Sequence, residues 1–534
     1  MEDNTLVLTM PGDSPVGYPN FSRSRACAPG DLVHLEAEAR ATDVSGGFGV
    51  YLSVAFMDAN GQRLSFNQSG PAHGTHWQRL SVTGIAPPET ARVFYRLLLN
   101  GHGTAAFRAM EATLEPAPPK ADLSTPVTLS VSPTPVCDHL VGIGFEDDGW
   151  AYDRVNNKHG VDEQDLTHRE DRIRAMDPDW VRMFFWYRDW NPSGDGETFT
   201  WDSDGMESHY RTLALYQDMG AVVNVTGVEW GIREPFADPE ALARAWTALL
   251  DHLIRVKGFT CVQQWTLTNE PNTSYVPDGG TFEGYLELYE TIVQSFEEAG
   301  LDVAIVGSDD TNGGWPWFRA CVTTPAYDNL VDLYASHRYF KYQDRALATD
   351  FFDRRLDLLN GRKPFVLAEF GFHDARTEGP LINPVMEDFD YALWTADFAL
   401  KGLNKGVAGF SIWCAHEVFY PFDAKMNYGL WNFRDRDWSL RPVYYFWRLL
   451  TQQTEAGDKV YPVSHTHEEA FRAVRVGDDF FFANLSDKNL RLNWNGPRAE
   501  GGRVHTEANL EAGMETDLNS LPPRSFGHAT WPRH

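Results

Sequence analysis

Two glutamates in this 534-residue chain stand where acid–base and nucleophilic chemistry could be done. The first, Glu270, falls within the run Gln263-Gln264-Trp265-Thr266-Leu267-Thr268-Asn269-Glu270-Pro271-Asn272. Val262, Trp265 and Leu267 suit a strand interior. Pro271 has no N–H to give a sheet ladder, so pairing should stop there and leave Glu270 at the strand's C-terminal tip. The second, Glu369, follows another apolar run in Pro364-Phe365-Val366-Leu367-Ala368-Glu369-Phe370-Gly371. Two carboxyl groups brought to one rim can divide the breaking of a glycosidic bond between them. One protonates the leaving oxygen, and the other attacks the anomeric carbon or activates a water.

Two strand tips so far apart in sequence meet only if parallel strands close into a barrel. The distance between them, 99 positions (369 − 270), holds three strand–helix units of about 30 residues each. Apolar runs recur at such steps: Leu140–Phe145, Trp180–Phe185, Ala221–Thr226, Val262–Thr268, Val303–Gly307, Leu330–Ser336, Phe365–Ala368 and Val407–Trp413. Helical stretches lie between them. Asp238-Pro239 is a capping residue followed by proline at the first helical position, opening Glu240–Val256. Thr281 to Ala299 puts Tyr285, Leu288, Ile292 and Phe296 on one face, and Gly300 should end it. Glu387–Asn404 and Pro442–Thr451 read as the last two helices. The alternation predicts an α/β fold, a (β/α)8 barrel over residues 138–454.

The flanks alternate with period two. In residues 1–119 the sets Val33-His34-Leu35-Glu36-Ala37-Glu38, Val50/Leu52/Val54/Phe56 and Val93/Tyr95/Leu97/Leu99 predict an N-terminal β-sandwich of roughly jelly-roll size. It is similar to a carbohydrate-binding module, with Trp77 and Tyr18 as candidate rings, and reads equally as a brace for the barrel. Residues 120–137 read as a linker: Pro126, Pro133 and Pro135 are expected to preclude a central strand or helix. Residues 455–534, with Gly477-Asp478-Asp479 as a hairpin signal, predict a small C-terminal β-sandwich.

Composition narrows the partners. A formal charge of −29 would repel a phosphate polymer, which argues against nucleic acid and points to a neutral substrate. The 18 Trp, 20 Tyr and 33 Phe are an ample supply of flat rings on which sugars could stack. Five scattered cysteines without a CxxC pair indicate neither a zinc site nor a disulfide framework. No apolar run reaches membrane-spanning length. The acidic start, Met1-Glu2-Asp3-Asn4, lacks the features of a signal peptide, which leaves open a protein kept inside the cell and one whose signal is absent from this sequence. Neither a cofactor nor a metal is expected, and the oligomeric state is not legible.

With those elements in place, the motifs resemble clan A of the retaining glycoside hydrolases. The clan carries Asn-Glu at the end of strand four and a second glutamate at the end of strand seven, as Asn269-Glu270 and Glu369 would be. Arg182 in Trp180-Val181-Arg182-Met183 matches the strand-two arginine, His337-Arg338-Tyr339 a His-x-Tyr on strand six, and Trp413 the strand-eight tryptophan. Ala368-Glu369-Phe370-Gly371 with His-x-Tyr looks like family 5, and Asn269-Glu270-Pro271-Asn272 more like family 39. The resemblance implies that Glu270 donates the proton and that ionised Glu369 forms a glycosyl-enzyme. It implies that Arg182 and Tyr339 steady Glu369, that Asn269 holds the sugar 2-hydroxyl, that Trp413 floors the subsite and that His337 orients a neighbour. Substrate contacts are also expected of Trp150, Asp148 and Trp230. Trp186, Trp190, Glu229, Asp309, Asp310 and Glu417 share the rim, each read as packing or solvated before substrate contact.

Two rival readings stand beside this one. A non-catalytic carbohydrate-binding protein could use the same scaffold. A metal-dependent barrel hydrolase would need a ligand cluster; His465-Thr466-His467-Glu468 has suitable residue types but follows the barrel, where a surface strand is its expected home.

Overall fold

Eight parallel strands close on one another in chain order: β1 (Gly142–Asp147), β2 (Trp180–Trp186), β3 (Val222–Val228), β4 (Val262–Thr266), β5 (Ala304–Asp310), β6 (Leu333–Lys341), β7 (Phe365–His373) and β8 (Gly409–Ile412). β8 closes the ring against β1, with Gly409 opposite Gly142 and Ile412 opposite Phe145. These strands are covered on both faces, which is why they read as continuous apolar runs rather than as alternation. The structure is a computed structural model and describes residues 5–532 except 13, 73, 118–119, 229–233, 277–279 and 374–381.

A helix follows each strand: α1 (Glu163–Met176), α2 (Asp204–Met219), α3 (Pro239–Asp251), α4 (Phe282–Ala299), α5 (Trp315–Thr323), α6 (Leu347–Leu359), α7 (Phe389–Lys405) and α8 (Pro442–Gln452). Their starts are the ones the sequence marks. The Asp238 side chain accepts from Ala241 N ahead of α3, and Thr281 caps α4 by accepting from Gly284 N. Gly300 ends α4 with φ +64°, a conformation glycine enters without steric cost.

Strand limits depart from expectation at their C-terminal tips. β5, β6 and β7 run on to Asp310, Lys341 and His373, past the polar residues that interrupt each apolar run. β4 instead stops at Thr266, well before Pro271.

The chain divides into two compact units, residues 121–340 with 347–534, and residues 1–120 with 341–346. The first holds the barrel and a nine-stranded sheet, in which the expected hairpin Phe471–Val476/Asp479–Asn484 is present. Phe526 of this sheet packs on Phe389 of α7 and Phe446 of α8, and Arg472 pairs with Asp397 of α7 at 2.6 Å. The linker expectation is corrected here. Val127–Val131 is an interior strand of that sheet, antiparallel to Val460–His465 and parallel to Leu490–Trp494. The prolines flank this five-residue stretch without entering it, so its ladder N–H groups remain available.

The other unit is a six-stranded sheet built on two long antiparallel strands, Leu32–Met57 and Arg92–Glu115. Register shifts between Thr42 and Gly49 break the pairing of these strands midway, and side chains from both halves bury in one core. The two separate sheets of a sandwich are not what the pairing gives: all six strands form one connected sheet. Its boundary also departs from a contiguous 1–119, because Asp344 accepts from the backbone N–H of Ile85 at 2.7 Å and from Asn67 at 2.9 Å.

Candidate active site

Strands β2, β5, β6 and β7, with the turn after β4, deliver one connected group of ionisable side chains. Glu369 is carried by β7 itself, its side chain 7% exposed. Two positions on, Gly371 leaves room for the Tyr339 ring, which a Cβ there would approach to 2.9 Å. That ring, on β6, sends its hydroxyl to Glu369 Oε1 at 2.5 Å. Arg182 Nη1, from β2, lies 3.4 Å from Glu369 Oε2.

Glu270 is placed by a turn rather than by a strand. It adopts φ +50°, ψ +56°, and Pro271 then opens the one-turn helix Pro271–Ser274. A left-handed backbone at a residue with a side chain is strained by roughly 1–2 kcal/mol, a cost that concentrates at functional positions. Its side chain is 23% exposed, more open than Glu369.

His337 joins the two carboxyls. Its Nδ1 is 3.1 Å from Glu270 Oε1 and 3.3 Å from Glu369 Oε2, while Nε2 is 3.0 Å from Asp309 Oδ1. One oxygen of each glutamate and a ring nitrogen of His337 all lie within 4.8 Å of one another. Asp309 reaches this position through a bulge in β5. Ser308 pairs with Ala335 and Asp310 with Ser336, which leaves Asp309 as the extra residue between them. Asp309 is fully buried and also accepts from Arg182 Nη2 at 2.7 Å. Asp310 is turned elsewhere, to Arg355 at 2.6 Å.

The charges are set by burial and by each other. Burial would discharge His337, but Asp309 and Glu369 outweigh it and hold the imidazolium to about 10. Burial also works against the Asp309 carboxylate, yet Arg182 and His337 keep it down to about 2. Glu369 is pushed above the ordinary glutamate range by burial, with His337 opposing and the charge of Glu270 adding to the rise. Burial acts on Glu270 in the same sense, but the hydrogen bond and charge of His337 outweigh it and bring Glu270 below that range.

Asn269 Oδ1 accepts from Arg182 Nη2 at 2.7 Å, which fixes its amide beside Glu270. Trp413, just past β8, stacks on Tyr428 with ring centroids 4.6 Å apart and meets the Tyr339 ring edge-on at 6.2 Å. Asp148 is 2% exposed, accepts from the Tyr420 hydroxyl at 2.9 Å, and is raised by burial to about 8. Trp150 does not line a site: it is wholly buried, with Nε1 on Asp189 at 3.0 Å. Its bulk fills the core beside Tyr420. Trp190 is likewise buried, Trp186 carries Arg188 over its ring, and Glu417 is bound to Arg441 at 2.5 Å. Trp230 and Glu229 lie outside the described residues.

Glu146, near the end of β1, belongs to the stretch Phe145–Trp150 that sequence points to for substrate hydrogen bonding. It is instead completely buried and accepts from Arg182 Nη1. Like Glu369, it follows an apolar run of a barrel strand.

Glu270, His337 and Glu369 are, among the described residues, the side chains close enough to share an ion. The sequence His465–Glu468 is not a second cluster of this kind among the described residues. His465 ends the strand Val460–His465, with Ser464, Thr466 and Glu468 exposed as expected of a surface position, while the His465 side chain is 3% exposed and His467 is buried.

No protein-family model matches the chain, and no curated protein is similar to it in sequence. Its fold is similar to solved structures at low identity. A GH39 β-xylosidase from Caulobacter crescentus is 14% identical with TM-score 0.53, over 76% of this chain and 100% of that one. A GH30 endoxylanase from Clostridium papyrosolvens C71 is 11% identical with TM-score 0.52, over 77% and 100%. A glucosidase from Croceicoccus marinus is 13% identical with TM-score 0.53, over 77% and 100%. In fold, this chain carries a (β/α)8 barrel similar to those of these solved structures.

Proposed function

We propose that the protein is a retaining glycoside hydrolase that cleaves β-glycosidic bonds of a neutral polysaccharide or oligosaccharide, of β-glucan, xylan or mannan type, by double displacement. The observation that carries this reading is that an oxygen of Glu270 and an oxygen of Glu369 come within 4.8 Å of each other at one rim, both reached by His337 Nδ1. Retaining sites hold their carboxyls about 5–5.5 Å apart, whereas inverting sites need about 6.5–9.5 Å to seat a water between them. A non-catalytic sugar-binding protein would have no use for so costly a pairing of like charges.

Glu369 is the nucleophile in this reading. It is the carboxyl that receives the Tyr339 hydroxyl and the Arg182 guanidinium, donors that steady an anion and orient its lone pairs. Glu270 is the acid and then the base. It is the more open of the two, as a group must be that meets first the leaving group and then water. A glycosidic oxygen seated against Glu270 would take the proton that Glu270 donates, while Glu369, ionised, attacks the anomeric carbon. Asn269, fixed by Arg182, is placed to meet the 2-hydroxyl, and the Trp413 face to carry the ring.

The test uses aryl β-glycosides together with β-glucan, xylan and mannan. Proton NMR of the first-formed product should show the β-anomer. Glu270→Ala should be rescued by azide on a substrate with a good leaving group, giving the β-glycosyl azide. Glu369→Ala with azide should give the α-azide. An α-anomer first product would make the enzyme inverting, and the opposite azide anomers would exchange the two roles. Full activity in either variant would remove that glutamate from the mechanism.

A further inference from the structure

Arg182 is shared more widely than its role beside Glu369 requires. Nη2 is divided between Asn269 and Asp309, at 2.7 Å each. Nη1 is divided between Glu146 and Glu369, and Glu146 holds the closer contact. Glu146 and Arg182 are both wholly removed from solvent. Oε1 of Glu146 is buried and, among the described residues, has no hydrogen-bond partner. One guanidinium thus faces three carboxyl groups, and the two on Nη1 draw on the two N–H bonds of one nitrogen, with Glu146 the nearer.

We propose that Glu146 is a positioning residue for Glu369: it holds a proton while Glu369 is ionised, and it draws Arg182 away from Glu369 when that proton is lost to solvent. The proposal rests on the reading of Glu369 as the nucleophile. Its basis is geometric, since a bare carboxylate on Nη1 binds the guanidinium more strongly than a neutral acid does.

The surroundings agree. Arg182 approaches Glu146 from β2, Glu369 from β7 and Asp148 from the loop after β1, while Cys414 and Tyr420 face it from beyond β8. Burial is the largest influence on Glu146 and raises it well above the ordinary range; Arg182 opposes this, and Glu369 and Asp148 add to it. An unpartnered, buried Oε1 is also where a neutral carboxyl is tolerated better than an ionised one.

Glutamate labelled with carbon-13 at Cδ lets the Glu369 carboxyl be titrated directly, its resonance assigned by its loss in Glu369→Gln. In the wild-type chain the Glu369 signal should show its own ionisation and then an upper step reporting Glu146. Glu146→Gln, a permanent mimic of the protonated acid, should lose that upper step and keep the lower one. Glu146→Met supplies a second neutral side chain should the amide disturb folding, which thermal melts would reveal. Identical titrations in wild type and a folded neutral variant overturn the proposal, as does the absence of an upper step in the wild type alone. The readout needs no turnover. Loss of the upper step in a protein that cleaves no glycoside would leave the sharing of Arg182 standing and remove hydrolysis instead.

Discussion

The Tyr339 hydroxyl donates to Glu369 Oε1 at 2.5 Å, and the phenol keeps its proton because burial and the charge of Glu369 hold it far above the usual tyrosine range. A hydrogen bond to an ionised acceptor contributes about 1.5–3 kcal/mol. Tyr339→Phe should therefore lower kcat/KM by roughly 10- to 100-fold. The same bond lowers the Glu369 value, so its loss should also move the acid limb of kcat/KM to higher pH. A rate–pH profile of the variant checks both. An unmoved acid limb would mean that Tyr339 packs beside Glu369 without steadying its charge.

Arg182 offers a test of stability as well as of rate. It is buried among Glu146, Asp309 and Glu369, and removing one member of such a set leaves uncompensated charge in the interior. Arg182→Met should cost about 3–5 kcal/mol of stability, recovered in part at low pH where the carboxyls protonate. Arg182→Lys keeps the charge but not the planar fork that serves both Nη1 and Nη2 partners. It should unfold at a temperature between those of wild type and Arg182→Met. Denaturant titrations of the three chains, at neutral and at acid pH, give the ranking. A wild-type stability for Arg182→Met would show that the network does not hold the barrel's rim together.

The barrel was legible because its strands are short apolar runs at even spacing, and the site because its strand tips carry a glutamate, an arginine and a His-x-Tyr in order. What sequence did not give follows from how those tips are bent. Asp309 is one of two adjacent aspartates, and only the bulge at Ser308–Asp310 sends it to Arg182 while Asp310 goes to Arg355. Trp150 follows the β1 tip as a rim residue should, yet a hydrogen bond to Asp189 folds it inward. Glu146 lies in the Phe145–Trp150 stretch that reads as substrate-binding, yet its place inside the strand turns it into the core toward Arg182. Val127–Val131 was hidden by its prolines, which stop at the ends of the strand.

The Asp309–His337 pair predicts a stability window. Asp309 is lowered from 3.8 to about 2, so its contribution is present above 3.8 and lost as the pH falls through 2. His337 is raised from 6.5 to about 10, so its contribution is complete below 6.5 and lost as the pH rises through 10. The pair should stabilise the fold most between pH 3.8 and 6.5. Asp309→Asn removes the negative partner and should lower the melting temperature most inside that window, with the deficit shrinking on both sides. A deficit independent of pH would assign the loss to packing.

His465 acts in the opposite sense to His337. Burial is the main cause of its depression from 6.5 to about 3, with the charges of Arg472, His467 and Lys401 adding to it. Its ring packs edge-on against Phe471, and the nearest carboxylate oxygen, on Glu468, is 4.0 Å away. The unfolded chain then binds a proton that the folded chain refuses between pH 3 and 6.5. Stability from this residue is complete above 6.5 and lost as the pH falls toward 3. One such proton corresponds to a slope of about 1.4 kcal/mol per pH unit. Replacing His465 by Asn leaves nothing to titrate at this position, so the acid branch of the stability curve should become shallower by up to that slope while stability near pH 7 falls only through lost packing. Parallel acid branches for wild type and His465→Asn would show that the folded protein accommodates the imidazolium by opening the Val460–His465 strand or the loop after it.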